Sequence, residues 1–153
     1  MVITIKRCNS DHPDFQDLII ALDQELDERN GDIQQQYYIF NKIDSINTAI
    51  IACIGNKPVG CGCFKVYCED TVEIKRMFVM KEARGNKIAS QILSNLELWA
   101  AELGFIFSIL ETGPNQTEAI ALYQKSGYKF IPNYGQYIGN ENSICMRKQI
   151  KAP

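Results

Sequence analysis

The sequence predicts an α/β fold built on a mixed β-sheet, in the order β-α-α-β-β-β-α-β-α-β-β. Three observations predict it. Apolar residues alternate or run together in seven short segments, as strands require. Other stretches repeat apolar residues at three and four positions, as a helix buried on one face requires. One long helical stretch lies between two strands, a crossover that makes those two strands parallel within a mixed sheet.

The elements follow in order. Val2–Arg7 alternates and reads as a strand. Ser10 or Asp11 is placed to cap the next helix, Pro13 suits its first turn, and His12 belongs to that N-terminus. Phe15, Leu18, Ile19, Leu22 and Leu26 then recur at helical spacing and give one core face. Gln34–Asn41 reads as a short second helix. Thr48–Ile54, Val59–Tyr67 and Val72–Met80 form a three-stranded meander, turned first at Gly55-Asn56-Lys57-Pro58 and then at Cys68-Glu69-Asp70. Ile88, Ile92, Leu96, Trp99 and Leu103 mark the long amphipathic helix, ended by Gly104. Phe105–Leu110 is the next strand. Asn115 and Glu118 have the spacing of a capping box, with Ala119, Leu122 and Tyr123 facing inward and Gly127 closing the helix. Tyr128–Ile131 and Ser143–Ile150 are the last strands, joined by the polar loop Asn133–Asn142.

A chain of 153 residues fits one domain, 1–153, and 46% hydrophobic residues suffice for a core. No apolar run approaches the ~20 residues of a membrane span. The alternating N-terminus does not resemble a signal peptide, so a cytoplasmic location is expected. A net charge of −2 argues against nucleic acid, which selects a basic surface. The six cysteines fall mostly in apolar strands and read as buried free thiols. With no CxxC pair and a single histidine, no metal site is expected.

The chemistry concentrates at Arg84-Gly85-Asn86-Lys87-Ile88-Ala89, between a strand and the long helix. A helix N-terminus leaves N–H groups unpaired and carries partial positive charge, which suits a phosphate. Gly85 allows a tight turn, and Arg84 and Lys87 add charge. An ordinary strand-to-helix turn fits the same residues. Gly60-x-Gly62 lacks the third glycine and the helix of a dinucleotide fingerprint. It reads as a strand face kept bare for a neighbour. Cys61 and Cys63 share one strand face, but no activating base lies nearby in sequence to support a covalent route.

Glu73-Ile74-Lys75-Arg76-Met77-Phe78-Val79 followed by Arg84–Ala89 resembles motif A of the GNAT family of N-acetyltransferases, whose signature is Gln/Arg-x-x-Gly-x-Gly/Ala. Arg84 and Ala89 match, and Lys87 stands where the family has glycine. Leu110–Asn115 and Ala119–Tyr128 resemble the family's motif B. The element order is similar to that of the family's acyl-CoA N-acyltransferase fold along nearly the whole chain.

The resemblance implies an enzyme that transfers acetyl from acetyl-CoA to a primary amine, small molecule or peptide, by direct attack through a tetrahedral intermediate. A CoA-binding or protein-interaction module of the same fold is the alternative. Acetyl-CoA is the implied co-substrate, and a homodimer is a common arrangement for such folds. Main-chain groups of Phe78 and Val79 would pair with the pantetheine arm. The N–H groups of Gly85, Asn86, Lys87, Ile88 and Ala89 would hold the pyrophosphate, with Arg84 alongside. Asn115 matches a position that contacts the cofactor arm, and helix capping explains it equally well.

Tyr123 matches the family's general acid for the leaving thiolate, although its apolar stripe also fits a core tyrosine. Glu73 leads as the base that takes the amine proton. Strand alternation puts it on one face with Lys75 and Met77, and pairing with Lys75 is its structural alternative. Glu111 is a second candidate base. The acceptor is expected between Asp23–Gln36 and Asn133–Asn142, where Glu25, Asp27, Glu28 and Asp32 favour a cation and Tyr134 and Tyr137 line the cleft.

Overall fold

A computed structural model describes residues 2–30 and 45–153. The expected helix Gln34–Asn41 lies outside the described residues, as do 31–36 of the expected acceptor region. Among the described residues, seven strands form one mixed sheet: β1 (Ile3–Cys8), β2 (Ala49–Ile54), β3 (Lys57–Cys68), β4 (Thr71–Val79), β5 (Phe107–Thr112), β6 (Lys129–Ile131) and β7 (Ile144–Gln149), in the order β1-β2-β3-β4-β5-β7-β6. The described helices are α1 (Pro13–Asn30), α2 (Ile88–Glu102) and α3 (Thr117–Lys125). Among the described residues, no helix is long and apolar enough to cross a membrane.

The chain clusters into two compact units. The first comprises the described residues of 1–65 together with 75–96. In it β1 pairs antiparallel with β2, and β2 with β3, through a two-residue hairpin at Gly55-Asn56. The expected four-residue turn is therefore shorter, because Lys57 and Pro58 already belong to β3. The face of α1 predicted from its spacing is the one that packs. Phe15, Leu18 and Leu22 are buried with Ala49, Ile51, Cys61, Cys63 and Phe78, and Ile19 and Leu26 flank them. The start of α1 differs from expectation. Ser10 exchanges hydrogen bonds with the main chain of Ile46 instead of capping the helix. The cap is His12, whose carbonyl accepts from Gln16 N–H and whose Nδ1 accepts from Asp14 N–H.

On the other side of β3, Gly60 and Gly62 lie under α2. A Cβ on Gly60 would come within 3.1 Å of the Phe78 carbonyl oxygen and 2.9 Å of Ile92. A Cβ on Gly62 would come within 2.6 Å of Met77 Sδ and 3.0 Å of both Ile92 and Leu96. These glycines keep the strand face bare for the helix, as the sequence suggested. The alternation of β4 is interrupted at Arg76, which has φ +59°. Its guanidinium, only 6% exposed, is bound by Asp23 of α1 at 2.7 Å. The expected common face of Glu73, Lys75 and Met77 therefore does not run through unbroken, since a left-handed residue changes the direction of the pleat.

The second unit comprises 66–74 and 97–153. Here β4 and β5 are parallel, as the crossover predicted, but their ladder has three pairs and ends at Glu73–Ile109. β5 and β6 both pair antiparallel with β7. Leu103 falls past the end of α2 and is exposed, because the chain turns there through Gly104 at φ +98°.

Two outcomes are expected in thermal or denaturant unfolding. Gly60→Ala and Gly62→Ala each lower stability by about 1–3 kcal/mol, the usual cost of overpacking. Asp23→Ala costs about 3 kcal/mol, because it leaves the Arg76 guanidinium buried without its carboxylate.

Candidate active site

The first unit carries the strand-to-helix loop. After β4 the chain makes a 3-10 turn at Lys81–Ala83, and α2 begins at Ile88, which is buried and fixes the helix start. Between them Gly85 has φ +85° and Lys87 has φ +62°. Two left-handed residues two positions apart curl the main chain, so its N–H groups can converge on an anion. The position at which the family signature has glycine is thus one where glycine fits without steric cost, and Lys87 adopts the same backbone with a side chain. Asn86 closes the curl, its Nδ2 donating to the Ala83 carbonyl at 2.9 Å. The first turn of α2 contains no acidic residue to neutralise its positive end.

Arg84 has a different place from the one expected. Its Nε donates to the Val79 carbonyl at 2.9 Å, and its terminal nitrogen donates to Glu25 Oε1 at 2.6 Å. The guanidinium also lies 5.8 Å from the centre of the Phe78 ring. Arg84 therefore ties the loop to β4 and α1, and its charge is already matched. The Val79 carbonyl, expected to face the pantetheine arm, is the one this guanidinium holds. Glu25 is also withdrawn from the acidic set expected to attract a cationic acceptor. Lys87 is exposed.

The second unit carries the titratable groups. Glu73 is 3% exposed at the end of the β4–β5 ladder. Tyr134 Oη donates to Glu73 Oε2 at 2.6 Å. The Tyr134 ring meets Tyr67 edge-on at 5.2 Å and Tyr137 edge-on at 5.4 Å. Tyr137 closes a 3-10 turn at Gly135–Tyr137, which Asn133 braces by donating to the carbonyls of Tyr137 and Asn140. Glu111 accepts from Ser143 Oγ at 2.7 Å. Burial, then the nearby Glu73 charge, holds the phenols of Tyr134 and Tyr137 well above their ordinary range. Burial pushes the Cys145 thiol up to about 11, with Glu111 and Glu73 adding to it.

Tyr123 is buried on α3, edge-on to Tyr128 at 5.8 Å. Burial, with Glu111 adding to it, pushes its phenol well above 10, so it keeps its proton across the neutral range. Asn115 is exposed and does not cap α3. The cap is Gln116, which makes no side-chain capping bond, because a turn from Gly113 carbonyl to Gln116 N–H delays the helix. The expected capping box is thus absent.

Cys61 and Cys63 are fully buried and donate to the carbonyls of Arg76 and Lys75. Burial raises the Cys61 thiol, the reverse of what a nucleophile needs. All six cysteines are free. Among the described residues, no group of three or more His, Cys, Asp or Glu is placed to hold a metal ion.

The Tyr134–Glu73 hydrogen bond and the Arg84–Glu25 pair had no signal in the sequence. Each joins residues about 60 positions apart, beyond the reach of periodicity.

Comparison with known proteins identifies the family and the fold. The model of the acetyltransferase (GNAT) family matches residues 12–128. An IAA acetyltransferase of Azospirillum brasilense is 32% identical over 144 residues, covering 89% of this chain and 93% of that protein. The crystal structure of a Klebsiella pneumoniae protein named as an acyl-CoA N-acyltransferase superposes with a TM-score of 0.82 at 27% identity, covering 98% of this chain and 99% of that one. A GNAT family acetyltransferase of Elizabethkingia anophelis with acetyl-CoA bound shares the fold, with a TM-score of 0.67 at 20% identity over 96% of this chain and 97% of its own. The family match and the relative's identity over nearly the whole chain lead to one assignment: this chain belongs to the GNAT family of acetyltransferases.

Proposed function

We propose that the chain transfers an acetyl group from acetyl-CoA to a primary amine. The observation that carries this reading is the loop of Arg84–Ile88, where two left-handed residues curl the main chain at the start of an α-helix without an acid in its first turn. That arrangement suits a pyrophosphate. The early end of the β4–β5 ladder supports the rest, since β4 continues to Val79 beyond its last pair with β5. There Phe78 and Val79 would offer main-chain groups to the pantetheine arm, although the Val79 carbonyl is shared with Arg84.

Acetyl-CoA supplies a thioester carbonyl for the amine to attack. The chain's own part is to move protons and hold geometry. Glu73, desolvated and hydrogen-bonded, takes the proton that the attacking amine must lose. Tyr123 keeps its phenolic proton at neutral pH and gives it to the departing thiolate. Lys87 adds a cation at the phosphate loop, while Arg84 fixes the loop's shape. The acceptor is a primary amine of a small molecule or peptide. The relative from Azospirillum brasilense carries the name IAA acetyltransferase, so IAA belongs among the candidate acceptors tested alongside amines.

Three measurements test the reading. Acetyl-CoA at about 100 times its dissociation constant should add roughly 2.7 kcal/mol of apparent stability, while NAD and ATP at equal concentration should add none. Failure to shift the melting temperature removes the cofactor assignment. Thiol release from acetyl-CoA should depend on an amine from a panel of alkylamines, polyamines, amino acids and peptides. Binding without release from any of them leaves a CoA-holding module. Tyr123→Phe should slow release about 10- to 100-fold, within the range of general acid catalysis, with acetyl-CoA affinity nearly unchanged. Equal rates would remove Tyr123 from the mechanism.

A further inference from the structure

We propose that Tyr134 is a positioning residue for the Glu73 carboxylate, and that the loop between β6 and β7 thereby controls proton removal from the acceptor. The inference rests on the reading of Glu73 as the base. It starts from one short contact: Tyr134 Oη to Glu73 Oε2, 2.6 Å. A buried carboxylate can accept at both oxygens and turn about its side-chain torsions. A base works only when a lone pair is aimed at the proton from about 2.6–3.2 Å. A donor fixed on Oε2 selects one carboxylate orientation and thereby sets the direction of Oε1.

The donor is itself held. The Tyr134 ring is gripped edge-on by Tyr67 and by Tyr137, with interplanar angles of 79° and 86°. Tyr67 and Tyr134 come from separate segments, β3 and the β6–β7 loop, so the grip fixes the loop as well as the ring. Asn133 ties the same loop internally through two carbonyls. Gly135, at φ +53°, lies against Tyr67, where a Cβ would stand 3.5 Å from the Tyr67 hydroxyl. Burial and the Glu73 charge together keep the Tyr134 phenol protonated, so the bond runs in one direction, from tyrosine to carboxylate. Packing alone does not need that hydroxyl, because the aromatic contacts would survive with phenylalanine.

A double-mutant cycle reads the coupling. Tyr134→Phe keeps the ring and removes the donor. With the amine that gives the fastest thiol release in the panel above, kcat should fall about tenfold, while KM for acetyl-CoA stays within twofold. Glu73→Gln should fall further. In the Glu73→Gln background, Tyr134→Phe should cost less than twofold, because nothing remains for it to position. A tenfold loss repeated in that background overturns the proposal and leaves Glu73 as the base. Wild-type kcat in Glu73→Gln overturns the base assignment and this proposal with it. Wild-type kcat in Tyr134→Phe overturns the proposal alone. Tyr67→Leu provides a second route if Tyr134→Phe does not fold. It loosens the ring's grip, and its loss in kcat should also vanish in the Glu73→Gln background. A loss that persists there overturns the proposal.

Discussion

The close approach of α2 to β3 is the constraint on which the Arg84–Lys87 loop depends. Two missing side chains, at Gly60 and Gly62, let the helix settle onto the strand, with Ile92 and Leu96 directly above. Ile88, the first residue of α2, is buried in the same unit. Once the helix is seated at that depth, the chain has only Arg84–Lys87 in which to turn from a 3-10 turn into the helix. The left-handed geometry of Gly85 and Lys87 follows from that short span. The shape of this loop is therefore a product of core packing as much as of its own residues.

Charge pairs then lock the same unit. α1 supplies two acids two positions apart: Asp23 binds Arg76, and Glu25 binds Arg84. One pair holds the left-handed residue within β4, and the other holds the loop after it. Both arginines thus act on backbone shape. Arg84, at the first position of the family signature, is thus engaged by Val79 and Glu25.

Much of the fold was legible in the sequence, because its signals are local. Alternation and three-four spacing gave all seven strands and the three described helices, with errors at ends where capping differed, as at Ser10 and Asn115. The parallel pair followed from one crossover helix. The bare face at Gly60 and Gly62 was also readable, since two glycines in an apolar strand have few other uses. The site was legible only in part. The Arg84–Ala89 loop carried a helix-start signal and a family resemblance. The Arg84–Glu25 and Tyr134–Glu73 contacts did not, because they depend on tertiary proximity between segments with no pattern in common. The interruption at Arg76 was hidden for a further reason: nothing in an arginine's chemistry announces a left-handed backbone.

The distribution of thiols has a practical consequence. Cys61, Cys63 and Cys145 are buried, Cys8 and Cys53 are half-buried, and Cys68 is exposed at the end of β3. A maleimide or iodoacetamide label would reach Cys68 first. That residue adjoins Tyr67, whose ring braces Tyr134. A fluorophore attached there would stand one residue from the tyrosine cluster and report its rearrangement by emission, with no cysteine engineered into the chain.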